Sequence, residues 1–174
     1  MKHLVDGTVV NQDVSYPGDP RTNVDIVSPL HEIPRNDDTF DGALCIAVLE
    51  HVENPAEVVA EIYRVTKPGG FLVCSVPFLQ PEHKVPTDFQ RYTRDGLETL
   101  VKKAGYVIDE IVPLHTVWHT LHWVVYEWLH LRNTFTYRFL RVVLLPTIVW
   151  RSKRSNLVSD RLATAFRVVA HKPN

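Results

Sequence analysis

The 174-residue chain has little of what a secreted scaffold, a nucleic-acid binder or a membrane span requires. Two cysteines, Cys45 and Cys74, are too few for a disulfide framework. Both fall in strand-like runs and read as small buried hydrophobes of a reducing compartment. The apolar stretch from Val142 to Trp150 is nine residues long, about half of what crosses a bilayer. Net charge is also scarce: 19 basic against 20 acidic residues leave -1, so no electrostatic footprint for nucleic acid is present. Met1 to Asp6 lacks the apolar core of a signal peptide, so the expected location is cytoplasmic. No internal repeat, low-complexity tract or linker breaks the chain.

What is present suits one soluble domain spanning 1–174. The hydrophobic fraction is 45 % and the mean hydropathy -0.09, enough for a real core at this length. Charge is distributed unevenly: Met1 to Ile62 holds twelve acids and three bases, while Trp128 to Ser159 holds six bases and no acid.

The most legible stretch runs from Phe40 to Pro77. Phe40 to Ile46 is a short apolar run behind an acidic turn, the pattern of a strand buried on both faces of a parallel sheet. Asn54-Pro55-Ala56-Glu57 offers a capping side chain, a proline at the first helical position and a glutamate able to reach back. Val58, Ile62 and Val65 then form one helical stripe, with Glu57, Glu61 and Arg64 pointing elsewhere. Lys67-Pro68-Gly69-Gly70 is expected to stop the helix in a turn, and Phe71 to Val76 to form the second buried strand. Strands joined by a helix in this way are parallel, with a right-handed crossover.

Phe40-Asp41, Val48-Leu49-Glu50-His51-Val52, Glu61-Ile62-Tyr63-Arg64-Val65 and Lys67-Pro68-Gly69-Gly70, followed by Val76-Pro77-Phe78, resemble the second half of class I S-adenosylmethionine-dependent methyltransferases, within them the type 11 group. The likeness continues through His83, Pro86-Thr87-Asp88-Phe89, Arg91-Tyr92-Thr93 and Gly105-Tyr106, covering roughly residues 9 to 112. It implies an α/β fold: a Rossmann-like, mostly parallel sheet with an antiparallel last strand, truncated at the N-terminus, and a helical insertion at 113–154 before that strand.

In such sheets ligands sit outside the carboxyl ends of the strands. The resemblance implies that Asp13, after a strand over Thr8 to Asp13, accepts hydrogen bonds from the cofactor ribose; an Asx turn is the competing reading. Pro29 stands where the family has an adenine-binding aspartate, with Leu30 beside it. Ile46, Ala47 and His51 would line S-adenosylmethionine at the end of the central unit. His83 is the candidate catalytic base, and Asp88 and Tyr92 the candidate substrate contacts. A purely structural role, with Asp88 capping a turn and pairing with Arg91, competes. The family's first strand and glycine-rich loop should precede Asp13 by roughly 20 residues. Only twelve residues precede it. Losing that central strand leaves two unpaired edges, unless another segment closes the gap, the sheet rearranges, or the sequence is a fragment.

Further on, Tyr16 to Pro20 reads as a turn and Asn23 to Val27 as a strand. Thr93 caps a helix whose apolar face is Leu97, Leu100, Val101 and Ala104, ended by Gly105. Tyr106 to Val112 is a strand, and Ala163 to Ala170 the closing one. His115, His119 and His122 at i, i+4 and i+7 put three imidazoles on one helical face. No nearby acid or cysteine completes a zinc site, so they read as part of an aromatic lid and no metal ligand is assigned. The basic, apolar segment after Trp128 reads as a helix over the substrate side of the sheet, or as a surface for anionic lipid. The function implied is methyl transfer to an O, N or C nucleophile of a small or lipid-like acceptor. The alternative is a non-catalytic relic or partner-binding module associated with a membrane surface. Self-association is a further expectation, since an unpaired central edge favours it.

Overall fold

A computed structural model describes residues 8–14, 24–84 and 87–174. The turn read at Tyr16 to Pro20 lies outside them, as do Asn23 and Pro86. Two sheets are present among the described residues. A minimal parallel pair joins β1 (Gln12–Asp13) to β2 (Ile26–Val27), shorter than the strands expected there. The main sheet has four strands, β3 (Phe40–Ile46), β4 (Thr66–Pro77), β5 (Val107–Leu114) and β6 (Ala165–His171), in the order β3-β4-β6-β5. β3 and β4 run parallel, with Cys45 opposite Cys74, and β6 runs antiparallel to both β4 and β5. Both cysteines are free and buried.

Helix α1 (Pro55–Val65) connects β3 to β4, and α2 (Arg94–Lys103) precedes β5. Val58, Val59, Ile62, Leu97 and Val101 from these helices pack on Cys45, Leu72, Cys74, Val76, Phe166 and Val168 of the sheet. The apolar stripe therefore buries as its 3.6-residue spacing predicts. Thr93 caps α2 as expected, accepting the Gly96 N–H at 3.1 Å. Asn54 does not cap α1 with its side chain; Pro55 at the first position and backbone bonds from Glu57 and Val58 to the Asn54 carbonyl serve instead.

Three expectations fail here for physical reasons. β3 is buried on one face only: Cys45 is covered by α1, whereas Leu44 and Ile46 are 62 % and 52 % exposed. Lys67 to Gly70 is not a turn ahead of the strand but an irregularity inside β4, because Thr66 already pairs with Phe40 before Phe71 pairs with Gly42. The last helices, α3 (Val117–His130) and α4 (Phe135–Ser152), do not lie over the sheet. They pack on each other around Leu129 and Ile148 and are tethered at their base, where Thr120 donates to the Leu162 carbonyl and Val117 N–H to that of Leu157. No described helix is long and apolar enough to cross a membrane.

Gly70 marks the tightest point of the β3–β4 irregularity. A Cβ there would sit 2.7 Å from Thr66 Cγ2, 2.8 Å from the Lys67 carbonyl oxygen and 2.9 Å from that of Asp41. Two of these neighbours are backbone and cannot swing aside. Gly70→Ala is expected to cost about 2–3 kcal/mol of stability, as overpacking does, read as a lower urea midpoint at unchanged slope.

Candidate functional site

Parallel pairing of β3 and β4 places their carboxyl ends side by side, so the segments that follow, 47–54 and the described residues of 78–84 and 87–93, emerge at one edge of the sheet. The first turns sharply at Ala47, which adopts φ 53 and donates its N–H to the Ser75 carbonyl. A side-chain-bearing residue in that region is strained, which fits a chain forced to leave the sheet at once. A short 3-10 turn over Leu49–His51 follows, and it buries Leu49 and Glu50.

The second segment is clamped onto this turn. Gln90 donates to the carbonyls of Leu49 and Val52, and Phe89 N–H to that of Glu50. Tyr92, expected to meet substrate, lies in the core instead: its hydroxyl donates to the Leu49 carbonyl at 3.2 Å, and burial pushes its pKa up. Asp88 is occupied as well. Arg91 grips both its oxygens, His83 N–H adds a bond at 2.7 Å, and the carboxyl side chain is almost fully covered. The Arg91 bond first, then the backbone bond, hold its pKa well below the usual carboxylate range against the opposing effect of burial. Asp88 thus orders the loop that carries His83, and its oxygens are not free for a substrate.

His83 and His51 stand edge to face, ring centroids 5.1 Å apart, and both turn Nε2 toward Glu50 Oε1, at 3.7 and 3.9 Å. Glu50 was quoted in the sequence only as a motif letter. Its 1 % exposure could not be read from a run that alternates apolar and polar residues.

A second group forms at the ends of β1 and β2. Asp13 pairs with Val27, and its carbonyl accepts from Ser28 N–H; its side chain is exposed. Val27, Ser28, Pro29, Glu32, Ile33, Pro34, Arg35 and Asn36 line an open depression. Its rim is fixed from α1, since Arg64 binds the carbonyls of Ile33 and Arg35 and the Asp37 carboxylate, while Glu61 accepts Ile33 N–H at 2.7 Å. Arg64 holds the Glu61 carboxyl below its ordinary pKa. Leu30 packs against the main core, and Ile46 is exposed on β3. His115 breaks the expected three-histidine face. It lies ahead of α3 with φ 65 and contacts Thr164 Oγ1, while His119 closes the helix cap with Thr116.

Residues 8–74 match the family model of the methyltransferase domain Methyltransf_11. The chain is 31 % identical over 104 residues to an uncharacterised 37.1 kDa protein of transposon TN4556 from Streptomyces fradiae, covering 51 % of this chain and 30 % of that one. It is 32 % identical over 74 residues to the ubiquinone/menaquinone biosynthesis C-methyltransferase UbiE of Desulfotalea psychrophila, 42 % of this chain and 30 % of that one. The chain thus spans under a third of the length of these curated relatives. Among solved structures, a Bacillus halodurans protein described as a methyltransferase superposes with TM-score 0.52 at 17 % identity over 86 % of this chain and 71 % of its own. The [4+2]-cyclase SpnF superposes with TM-score 0.53 at 18 % identity over 84 % and 54 %. The mostly parallel sheet with its antiparallel last strand is shared with them.

Asp88→Asn removes the charge that Arg91 holds. Stability is expected to fall by about 2 kcal/mol at neutral pH, the worth of a charged hydrogen bond. Because the folded carboxyl pKa is depressed, that contribution is full above the ordinary value near about 4. It is lost as pH falls through the lower folded value. Wild type and variant should therefore converge in acid, checked by urea titrations from pH 7 down to 2.

Proposed function

With the class I methyltransferase resemblance supported by a family match over residues 8–74 and by the fold, we propose that this chain serves S-adenosylmethionine-dependent methyl transfer to an O, N or C nucleophile of a small or lipid-like acceptor. The observation that carries this reading is the pairing of β3 with β4, which gathers the Ala47 turn, His51 and His83 at the carboxyl edge of the sheet. The described residues suit the adenosine end of the cofactor. Asp13 offers an exposed carboxylate for ribose hydroxyls, and the Val27 to Asn36 depression offers apolar walls, Pro29 among them, for a base. They offer no glycine-rich loop for the methionine end. When bound, the cofactor supplies an activated methyl group on its sulfonium; the protein holds and orients the partners and excludes water. His83 is the base candidate for drawing a proton from the acceptor. Asp88 acts on it through the backbone bond that sets its loop.

Calorimetry with S-adenosylmethionine tests the reading. Asp13→Ala is expected to weaken binding about 10- to 100-fold, the loss of 1.5–3 kcal/mol for a hydrogen bond to a charged group. Pro29→Asp, which adds an adenine acceptor, is expected to strengthen it by a similar factor. No saturable heat at millimolar ligand would leave a non-catalytic relic as the answer.

A second reading concerns where the protein works. Phe135, Phe139, Val142, Val143, Pro146 and Trp150 fall on one side of α4 and are all exposed, Phe135 at 86 % and Val142 at 75 %. The opposite side, at Ile148, is buried. Arg138, Arg151, Lys153 and Arg154 flank the apolar stripe, and Arg154 lies over the Trp150 ring at 4.4 Å. An apolar stripe edged by bases with no acid fits an anionic bilayer interface. Sedimentation with phosphatidylserine-containing vesicles should retain the wild type, and Phe139→Asp with Val142→Asp should release it. Arg151→Glu with Lys153→Glu should weaken association at least about 30-fold, at about 1 kcal/mol per base.

A further inference from the structure

Among the described residues, two buried side-chain atoms have no hydrogen-bond partner, one being Arg167 Nε and the other belonging to Glu50. Its side chain is almost fully buried, Oε2 has no hydrogen-bond partner, and Oε1 is 3.7 Å from His83 Nε2 and 3.9 Å from His51 Nε2. Those separations are too long for hydrogen bonds. A buried carboxylate without donors is costly, so such a group is expected to be paired or to coordinate a cation. The nearby protein cation is already committed. Arg91 spends its guanidinium on both Asp88 oxygens and on the carbonyls of Gln80, Pro81 and Gln90.

The two imidazoles complete the picture: His51 is held by its other nitrogen, and His83 turns its other nitrogen toward acceptors. His51 Nδ1 faces the Thr87 carbonyl, which only accepts, so Nδ1–H is the donor of that bond and Nε2 is the nitrogen left facing Glu50. His83 Nδ1 lies 3.4 Å from the Pro81 carbonyl and 3.6 Å from Asp88 Oδ2, again acceptors. Arg91 Nη2 is also 3.4 Å away, but both its hydrogens are engaged by Pro81 O and Asp88 Oδ2. Two histidines whose Nδ1 faces a carbonyl or carboxylate and whose Nε2 faces a common carboxylate have the orientation that outer-shell partners impose on metal-ligating imidazoles.

We propose that Glu50, His51 and His83 bind a divalent first-row transition cation of the zinc type. Their ligand atoms all lie within 4.8 Å of one another. Metal–ligand bonds of about 2.0–2.2 Å would need the three to close in by only about half an ångström. Two nitrogens and one oxygen favour zinc, cobalt, nickel or iron over magnesium or calcium, which take oxygen sets. Three protein ligands leave a coordination position for water or an oxygen ligand. Cation binding stands independently of methyl transfer. If that reading also holds, His83 would be a ligand and not the base: the ion would lower the pKa of an acceptor hydroxyl, whose proton would pass to solvent water.

The test uses the full chain, stripped with a chelator and titrated with Co²⁺ followed by visible absorption, and with Zn²⁺ by competition. One equivalent is expected, with millimolar Mg²⁺ unable to displace it. His51→Ala and His83→Ala, at partly exposed positions, should keep the circular dichroism spectrum and each weaken binding at least about 100-fold. Asp88→Asn should weaken it about 10-fold by loosening the loop that sets the His83 ring. His115→Ala with His119→Ala should leave it unchanged. No retention of either ion at micromolar concentration, or affinity unmoved by the His51 and His83 changes, would overturn the proposal. So would loss of binding in the His115 and His119 variant.

Discussion

The parallel registration of β3 against β4 is the constraint on which the rest depends. Cys45 opposite Cys74 fixes which residues of both strands face α1 and α2, and it sends both strands out of the sheet at the same edge. A slip of β3 by one residue would turn Cys45 outward and bring Leu44 in. It would also separate the turn carrying Glu50 and His51 from the loop carrying His83, which meet because their parent strands end side by side. Both cysteines are small enough to face each other there. The contact and burial push the Cys74 thiol pKa up, which keeps it protonated and inert.

Much of this was legible in the sequence. The Val58, Ile62 and Val65 stripe and the Thr93 cap depend on short-range periodicity and capping chemistry, which a single chain displays, whereas the antiparallel direction of the closing strand was implied by the family resemblance. What was not legible depends on partners far along the chain. Tyr92 is buried because its hydroxyl finds the Leu49 carbonyl 43 residues upstream. Glu61 and Arg64 looked like solvent-facing helix residues, yet they hold the loop from Ile33 to Asp37. The Pro68-Gly69-Gly70 signal was sound as local chemistry, with Gly69 at φ 72, but pairing of Thr66 with Phe40 drew it into the sheet. His115 has helical spacing to His119 and sits outside the helix, because spacing alone does not say where a helix starts.

β3 shows a different kind of mismatch. Its sequence is that of a strand covered on both sides, and the structure covers one. Leu44 and Ile46 are exposed beside a backbone edge with no strand partner among the described residues. β1 and β2 pair with each other and not with this edge. Edges of this kind are usually blunted by charge, proline or a bulge. Here the irregularity falls on the β4 side, and Asp41 is the one charged residue in β3. Local composition and local environment therefore disagree at this one strand, while β4, buried along most of its length, shows no such conflict.

A shared sheet does not decide the chemistry. One structural neighbour is described as a cyclase and another as a methyltransferase, at nearly the same superposition. The difference has to lie in side chains at the carboxyl edge, and there this chain has an asymmetry that the fold does not require. Asp88 and Glu50 are both buried carboxylates within reach of His83. Asp88 has a full set of donors, whereas Glu50 Oε2 has no hydrogen-bond partner and Oε1 faces the two imidazoles at 3.7 and 3.9 Å. Were the pair only structural, one arginine shared between them would satisfy both charges at lower cost than leaving one bare. Instead Arg91 is turned wholly to Asp88, and the two imidazoles are turned to Glu50 without closing on it. A buried carboxylate and two imidazole nitrogens converging on one point, within 4.8 Å of one another, are the geometry that the proposed cation accounts for.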